Sequence, residues 1–219
     1  MAARIVIING SGGCGKSTFI SLCKDICDKN YNQKQKQNEH DSKDKNNKNN
    51  KSTKKDKKKN PKNSPKSKIV MELSTVDYVK EVAQYCGWKG SKTDKDRSFL
   101  HELKEALAKW NNSPNQKVFD QINSLQEARS IFDKSDWLFF VNIREPEAIK
   151  EFIEQNKKAT GLPVSTLLII NFNVPVIQSN YADRNVEHYN YDYIVSNSSD
   201  IASLRSRAEN YLHSVLKFI

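Results

Sequence analysis

Long hydrophobic runs are missing from this chain: its apolar stretches are a few residues long and fall where strands are expected, so nothing reads as a membrane span. Residues 5–8 are too few for the core of a secretory signal. The four cysteines, Cys14, Cys23, Cys27 and Cys86, lack the paired spacing of a metal site. Cys23 and Cys27 lie one helical turn apart, but no second pair follows, so they read as reduced thiols of a cytoplasmic protein. Histidine is equally sparse, and His40, His101, His188 and His213 are scattered as surface or packing residues. The deepest gap is residues 32–68, which contain no Ala, Val, Ile, Leu, Met, Phe, Trp, Tyr or Cys.

A stretch of Lys, Asn, Gln, Ser and Asp cannot bury enough apolar surface to offset chain ordering, about 1–2 kcal/mol per residue for the backbone alone. Residues 30–67 are therefore expected to be a disordered, low-complexity insertion inside a single domain spanning 1–219. Such an insertion is tolerated because closure entropy grows slowly with loop length. It also locates the charge. Thirteen lysines against four acids give residues 30–67 a charge of +9, out of +10 for the whole chain. The basic character thus belongs to one segment and not to a folded face. That segment is either a spacer without a contact role or a weak, salt-sensitive tether for a polyanion such as RNA or an acidic membrane surface.

What is present is concentrated near the amino terminus. Residues 4–9 form an apolar run of the kind a buried parallel strand shows. Gly10-Ser11-Gly12-Gly13-Cys14-Gly15-Lys16-Ser17, followed by Thr18, matches G-x-x-x-x-G-K-[ST] in full. Beyond it, Phe19, Ile20, Leu22, Cys23, Ile26 and Cys27 recur at helical spacing over residues 16–29. Strand, glycine loop and helix together form a phosphate site. Loop N–H groups converge inward, and the helix start adds roughly half a positive charge. In that role residues 10–18 bind the nucleotide, Lys16 reaches the β- and γ-phosphates, and the Ser17 hydroxyl binds magnesium. Cys14, within the loop, is a point where oxidation could block binding.

Further elements alternate. A strand is expected at 69–73, and a helix at 74–85 opened by Ser74 as N-cap and stopped by Gly87. An amphipathic helix at 94–110 carries Phe99, Leu100, Leu103, Leu107 and Trp110 on one stripe, and another helix follows at 116–132. Strands at 137–143, 165–170 and 191–195 are separated by a helix at 147–156 that Pro146 introduces, and a last helix starts near Ser199. This order predicts an α/β phosphate-loop fold: about five strands, mostly parallel, with helices on both faces. Ligands of such sheets sit beyond the carboxyl ends of the strands, which directs attention to Ser74, Asp77, Arg144, Glu145 and residues 171–173.

Three chemistries use such a loop: a small-molecule kinase, a GTPase switch and an ATPase motor. A GTPase switch lacks support here, because no Asn/Thr-Lys-x-Asp run is present, and a motor lacks both length and a strand ending in Asp-Glu. No strand ends in a plain aspartate; the one before Arg144 ends Asn142-Ile143. Arg144, just past a central strand, suits a two-oxygen grip on phosphate, or else a salt bridge to Glu145 or Glu147.

At residues 10–18, Asp77, the Asp96-Arg97-Ser98-Phe99-Leu100 helix start, Arg144-Glu145-Pro146-Glu147 and the final 191–197 run, the chain resembles the nucleoside monophosphate kinase group of P-loop kinases. It is most similar there to the phage-type deoxynucleotide monophosphate kinase-like proteins. The resemblance implies ATP and Mg2+ as cofactors, and transfer of a phosphoryl group to a small phosphorylated acceptor by a monomer. Within it, Lys16 and Arg144 act in catalysis, Arg97 and Arg144 hold the acceptor phosphate, and Asp77 meets the acceptor's sugar or base. The residues leave alternatives: Asp77 as a helix-start acid, and Arg97 paired with Asp94 or another nearby acid. Two departures stand out, the missing strand-end aspartate and the lack of an arginine-rich lid. Other readings are a kinase for a coenzyme precursor or sugar, or a nucleotide-gated binding protein whose insertion docks on RNA or a partner.

Overall fold

The computed structural model of the chain describes residues 3–48, 66–91, 93–132, 135–174 and 185–219. Five parallel strands form one sheet: β1 (Ala3–Asn9), β2 (Lys68–Ser74), β3 (Asp136–Asn142), β4 (Val164–Ile170) and β5 (Tyr193–Ser196). Their spatial order is β2-β3-β1-β4-β5, which puts the glycine-loop strand at the centre. Every neighbouring pair is parallel, so the expected sheet is borne out and contains no antiparallel edge among these strands.

Strand alternation sorts the core into two layers. Val6 and Ile8 of β1, Leu138 and Phe140 of β3, and Leu167 and Ile169 of β4 face one way. They meet α1 (Lys16–Lys48) and α6 (Ile201–Asn210), the latter continued by a π-helical turn at Tyr211–Val215. Ile5, Ile7, Phe139 and Val141 face the other way. They are covered by α4 (Ser113–Phe132) through Val118, Phe119 and Ile122, and by α5 (Pro146–Ala159) through Ile149 and Phe152. All six residues of the helical stripe expected on α1 are buried. Each large side chain so covered contributes about 1.5–3 kcal/mol of transfer free energy.

Helix starts follow local chemistry. Ser74 caps α2 (Thr75–Tyr85) by accepting from the Val76 N–H at 3.3 Å. Thr93 and Asp96 form a reciprocal capping box on α3 (Asp94–Asn111). Asp200 accepts from the Ser203 N–H at 2.8 Å to cap α6. α5 begins on Pro146 without a side-chain cap, as the sequence leads one to expect for proline at a first turn.

Two expectations are corrected. α1 does not stop near Lys29 but continues through Lys48, into the start of the Lys/Asn-rich segment. Once the buried turns of α1 exist, each added residue needs only propagation, and Lys and Gln extend a helix without burial. The remaining part of that segment up to Ser64 and Pro65 lies outside the described residues. The second correction concerns α3. Its apolar stripe is not buried: no residue of α3 is, and Phe99 and Trp110 are 36% and 83% exposed. α3 packs on α2 and α4, one layer away from the strands, so its stripe is only partly covered.

Candidate phosphate-binding site

The carboxyl end of β1 runs directly into the glycine loop, and α1 begins at Lys16. Two glycines are required by geometry. Gly10 has φ +144°, and a Cβ there would collide with the Ile169 carbonyl and the Cys14 sulfur. Gly15 has φ +101°, and a Cβ there would overlap the Asn197 side-chain amide. Asn197, just past β5, donates from that amide to the Cys14 carbonyl at 2.8 Å, tying the loop to the far side of the sheet. The Lys16 ammonium folds back over the loop and donates to the carbonyls of Gly10 (2.5 Å) and Ser11 (3.0 Å). An ammonium resting on loop carbonyls at a helix start can exchange them for anionic oxygens. Cys14 is fully buried, which shields its sulfur from the oxidation that sequence position alone invited. Cys23 and Cys27 are also buried; burial pushes both thiols up, Cys27 to about 12, so they stay protonated at neutral pH.

On the β3 side of the loop stands a group that sequence reading missed. The Ser17 hydroxyl donates to a Glu72 carboxylate oxygen at 3.2 Å, and the Asn142 side-chain amide donates to the same oxygen at 2.9 Å. Glu72 interrupts the apolar run of β2 and shares the sheet face of Val70, the face that α1 covers. That parity was the available signal. Ser17 and Glu72 offer hard oxygens, the donor type that suits magnesium, so the residues present fit the ion that such loops use.

Asn9, the last residue of β1, organises the centre. It is fully buried, accepts from the Gly10 N–H at 2.8 Å, and donates to the Arg144 carbonyl at 2.7 Å and the Tyr191 hydroxyl at 2.6 Å. Tyr191 passes its own proton to the Val186 carbonyl at 2.7 Å, and burial pushes its hydroxyl up to about 12 despite the Asn9 bond. Tyr191 was expected to open the last strand; it stands just before β5 instead and serves as a hydrogen-bonded strut. Through Asn9 the backbone of Arg144 is fixed beside the loop, with a half-buried side chain.

Glu145, just past β3, is held by Lys104 of α3 at 2.6 Å and not by Arg144 as one reading of the sequence has it. Burial alone would raise the Glu145 carboxyl; the Lys104 ammonium and His101 outweigh it and keep it below the usual carboxylate range. Arg97 lies exposed in the first turn of α3. Arg97, His101 and Lys104 stand at i, i+4 and i+7, so one face of α3 carries a basic stripe whose far end reaches the carboxyl end of β3. Neither Lys104 nor His101 was singled out from sequence. Asp77 lies in the first turn of α2, exposed and paired with Lys80 at 3.1 Å. It lines a hollow of about 310 Å³ with Ser74, Tyr78, Glu81, Lys117 and Gln121. Asp77 is thus a helix-start acid that also borders a polar recess.

No protein-family model matches the chain, and no curated protein matches it in sequence. Among solved structures, an APS kinase from Mycobacterium tuberculosis is similar over 97% of this chain and 98% of its own, at 10% identity and a TM-score of 0.39. At that level the likeness carries no weight beside the chain's own geometry, in which a glycine loop at the end of the central strand holds a lysine ammonium over its own carbonyls.

Proposed function

We propose that this chain is an ATP-dependent phosphotransferase that moves the γ-phosphoryl of ATP to a small phosphorylated acceptor of the (deoxy)nucleoside monophosphate type. The observation that carries the reading is the loop from Gly10 to Ser17, whose required positive-φ glycines and folded-back Lys16 stand at the head of a buried helix. Bound there, the triphosphate takes over the contacts that Lys16 now makes to Gly10 and Ser11. An acceptor phosphate oxygen attacks the γ-phosphorus in line, the bond to the bridging oxygen breaks, and ADP leaves with the electron pair. Magnesium would supply neutralising charge to the phosphate oxygens, and Ser17, hydrogen-bonded to Glu72, is the loop residue that would hold it. Little covalent work falls to the protein, so positioning and charge dominate.

The acceptor side is assigned to the α3 face and the hollow beside α2. Arg144, whose backbone Asn9 fixes, and Arg97 on α3 are the cationic groups offered to the acceptor phosphate, while Lys104, paired with Glu145, anchors that face of α3 to the end of β3. Asp77 and the recess it lines supply polar contacts for a sugar or base. The test is ADP release from ATP and magnesium against a panel of nucleoside and deoxynucleoside monophosphates, with sugar and coenzyme precursors alongside. Acceptor-dependent ADP is expected for at least one monophosphate. ADP with none of them, or slow hydrolysis that changes only when RNA is added, would contradict the reading.

A further inference from the structure

No strand of this sheet ends in aspartate, and the position at the end of β3, beside the loop strand, holds Asn142. The acid has moved one strand over. Glu72 lies on β2 two residues before Ser74, the register partner of Asn142, so the two side chains are diagonal neighbours on the face that α1 covers. Both Ser17 and Asn142 donate to the same oxygen, Oε1, and Oε2 has no hydrogen-bond partner among the described residues. An aspartate at 142 could not donate to Glu72; the asparagine amide can, and it fixes the carboxylate without adding charge.

We propose that Glu72 is the carboxylate through which this chain holds the divalent cation of its nucleotide, with Asn142 as the residue that positions it. The inference rests on the phosphotransfer reading above. Its geometry fits. Adjacent corners of an octahedron with metal–oxygen distances of about 2.0–2.1 Å are about 2.9 Å apart. Ser17 Oγ and Glu72 Oε1 are 3.2 Å apart, so a small rotation of either side chain lets both reach one ion. Among the described residues no cluster of three His, Cys, Asp or Glu side chains exists that could hold a metal by itself. A magnesium site built from one hydroxyl, one carboxylate, phosphate oxygens and water matches how that ion is usually bound. Glu72 is exposed on an edge strand, so removing its charge leaves the core layers untouched.

The probe is Mn2+, titrated into the full chain with and without ATP and followed by electron paramagnetic resonance of free Mn2+. The parent protein is expected to bind one Mn2+ per chain in the presence of ATP. Glu72→Gln should weaken that binding by at least about 10–100-fold, the loss that follows removal of even an outer-shell partner of a metal ligand. Its ATP affinity in EDTA should not fall. The double exchange Glu72→Gln with Asn142→Asp returns a carboxylate to the same corner and should recover most of the Mn2+ affinity. Mn2+ binding by Glu72→Gln equal to the parent's overturns the assignment while leaving phosphotransfer standing, as does an equal loss of metal-free ATP binding. A parent chain that binds no Mn2+ with ATP overturns both.

Discussion

Individual side chains decide the chemistry here by what they hold in the absence of ligand. Lys16 donates to carbonyls of its own loop and belongs to neither core layer, so its removal should cost the fold little and the reaction much. Lys16→Ala should lower turnover by at least about 10²–10³-fold, the loss that follows removal of one preorganised charge donor. Its thermal midpoint should stay within a few degrees of the parent's, checked by circular dichroism. Gly15 acts in the opposite sense, because both its φ and the Asn197 amide exclude a side chain. Gly15→Ala should cost about 1–3 kcal/mol of stability in urea denaturation through backbone strain. It should also weaken ATP binding by displacing Asn197 from the Cys14 carbonyl. Asn9 could be read as the end of β1, but its three bonds to Gly10, Arg144 and Tyr191 depend on two distant segments arriving together, which local pattern cannot convey.

Elements carry the acceptor side. α3 rests on other helices, and Lys104–Glu145 ties it to the end of β3. Since the Glu145 carboxyl is held below its ordinary value of 4.5, the pair stabilises the fold fully above that value and is lost as pH falls through the depressed one. Urea midpoints should therefore decline on the acid side, and Glu145→Gln should show a shallower decline than the parent over the same range. An identical pH profile in the two proteins would remove the pair from the account. Helices and strands were largely legible, since the apolar pattern in β1, α1 and β3 answers to burial, and the cap at Ser74 answers to local hydrogen bonding. Legibility failed where tertiary placement overrides pattern. The amphipathic stripe of α3 gives no sign that it faces helices instead of the sheet, and the polar continuation of α1 carries no apolar signal at all. The site was readable at the glycine loop, where motif and geometry coincide. It was missed at Glu72, where strand parity was the one signal, and at Lys104, whose meaning comes from where a helix face is packed.

For the molecule as a whole, charge and fold are separate matters. Nearly all of the +10 excess lies in residues 30–67, while the sheet that carries the loop belongs to a body close to neutral. Any retention on RNA should accordingly be weak, independent of sequence and steeply salt-sensitive, and should fall sharply when residues 49–65, which carry +6 of that charge, are deleted, with ADP production unchanged. Filter binding at two salt concentrations checks it. The most direct trial of the central claim is titration calorimetry of the intact chain with magnesium-ATP. The account predicts saturable heat with one nucleotide per chain, greatly diminished in Lys16→Ala. A folded parent protein that gives no heat of association at millimolar ATP would contradict it.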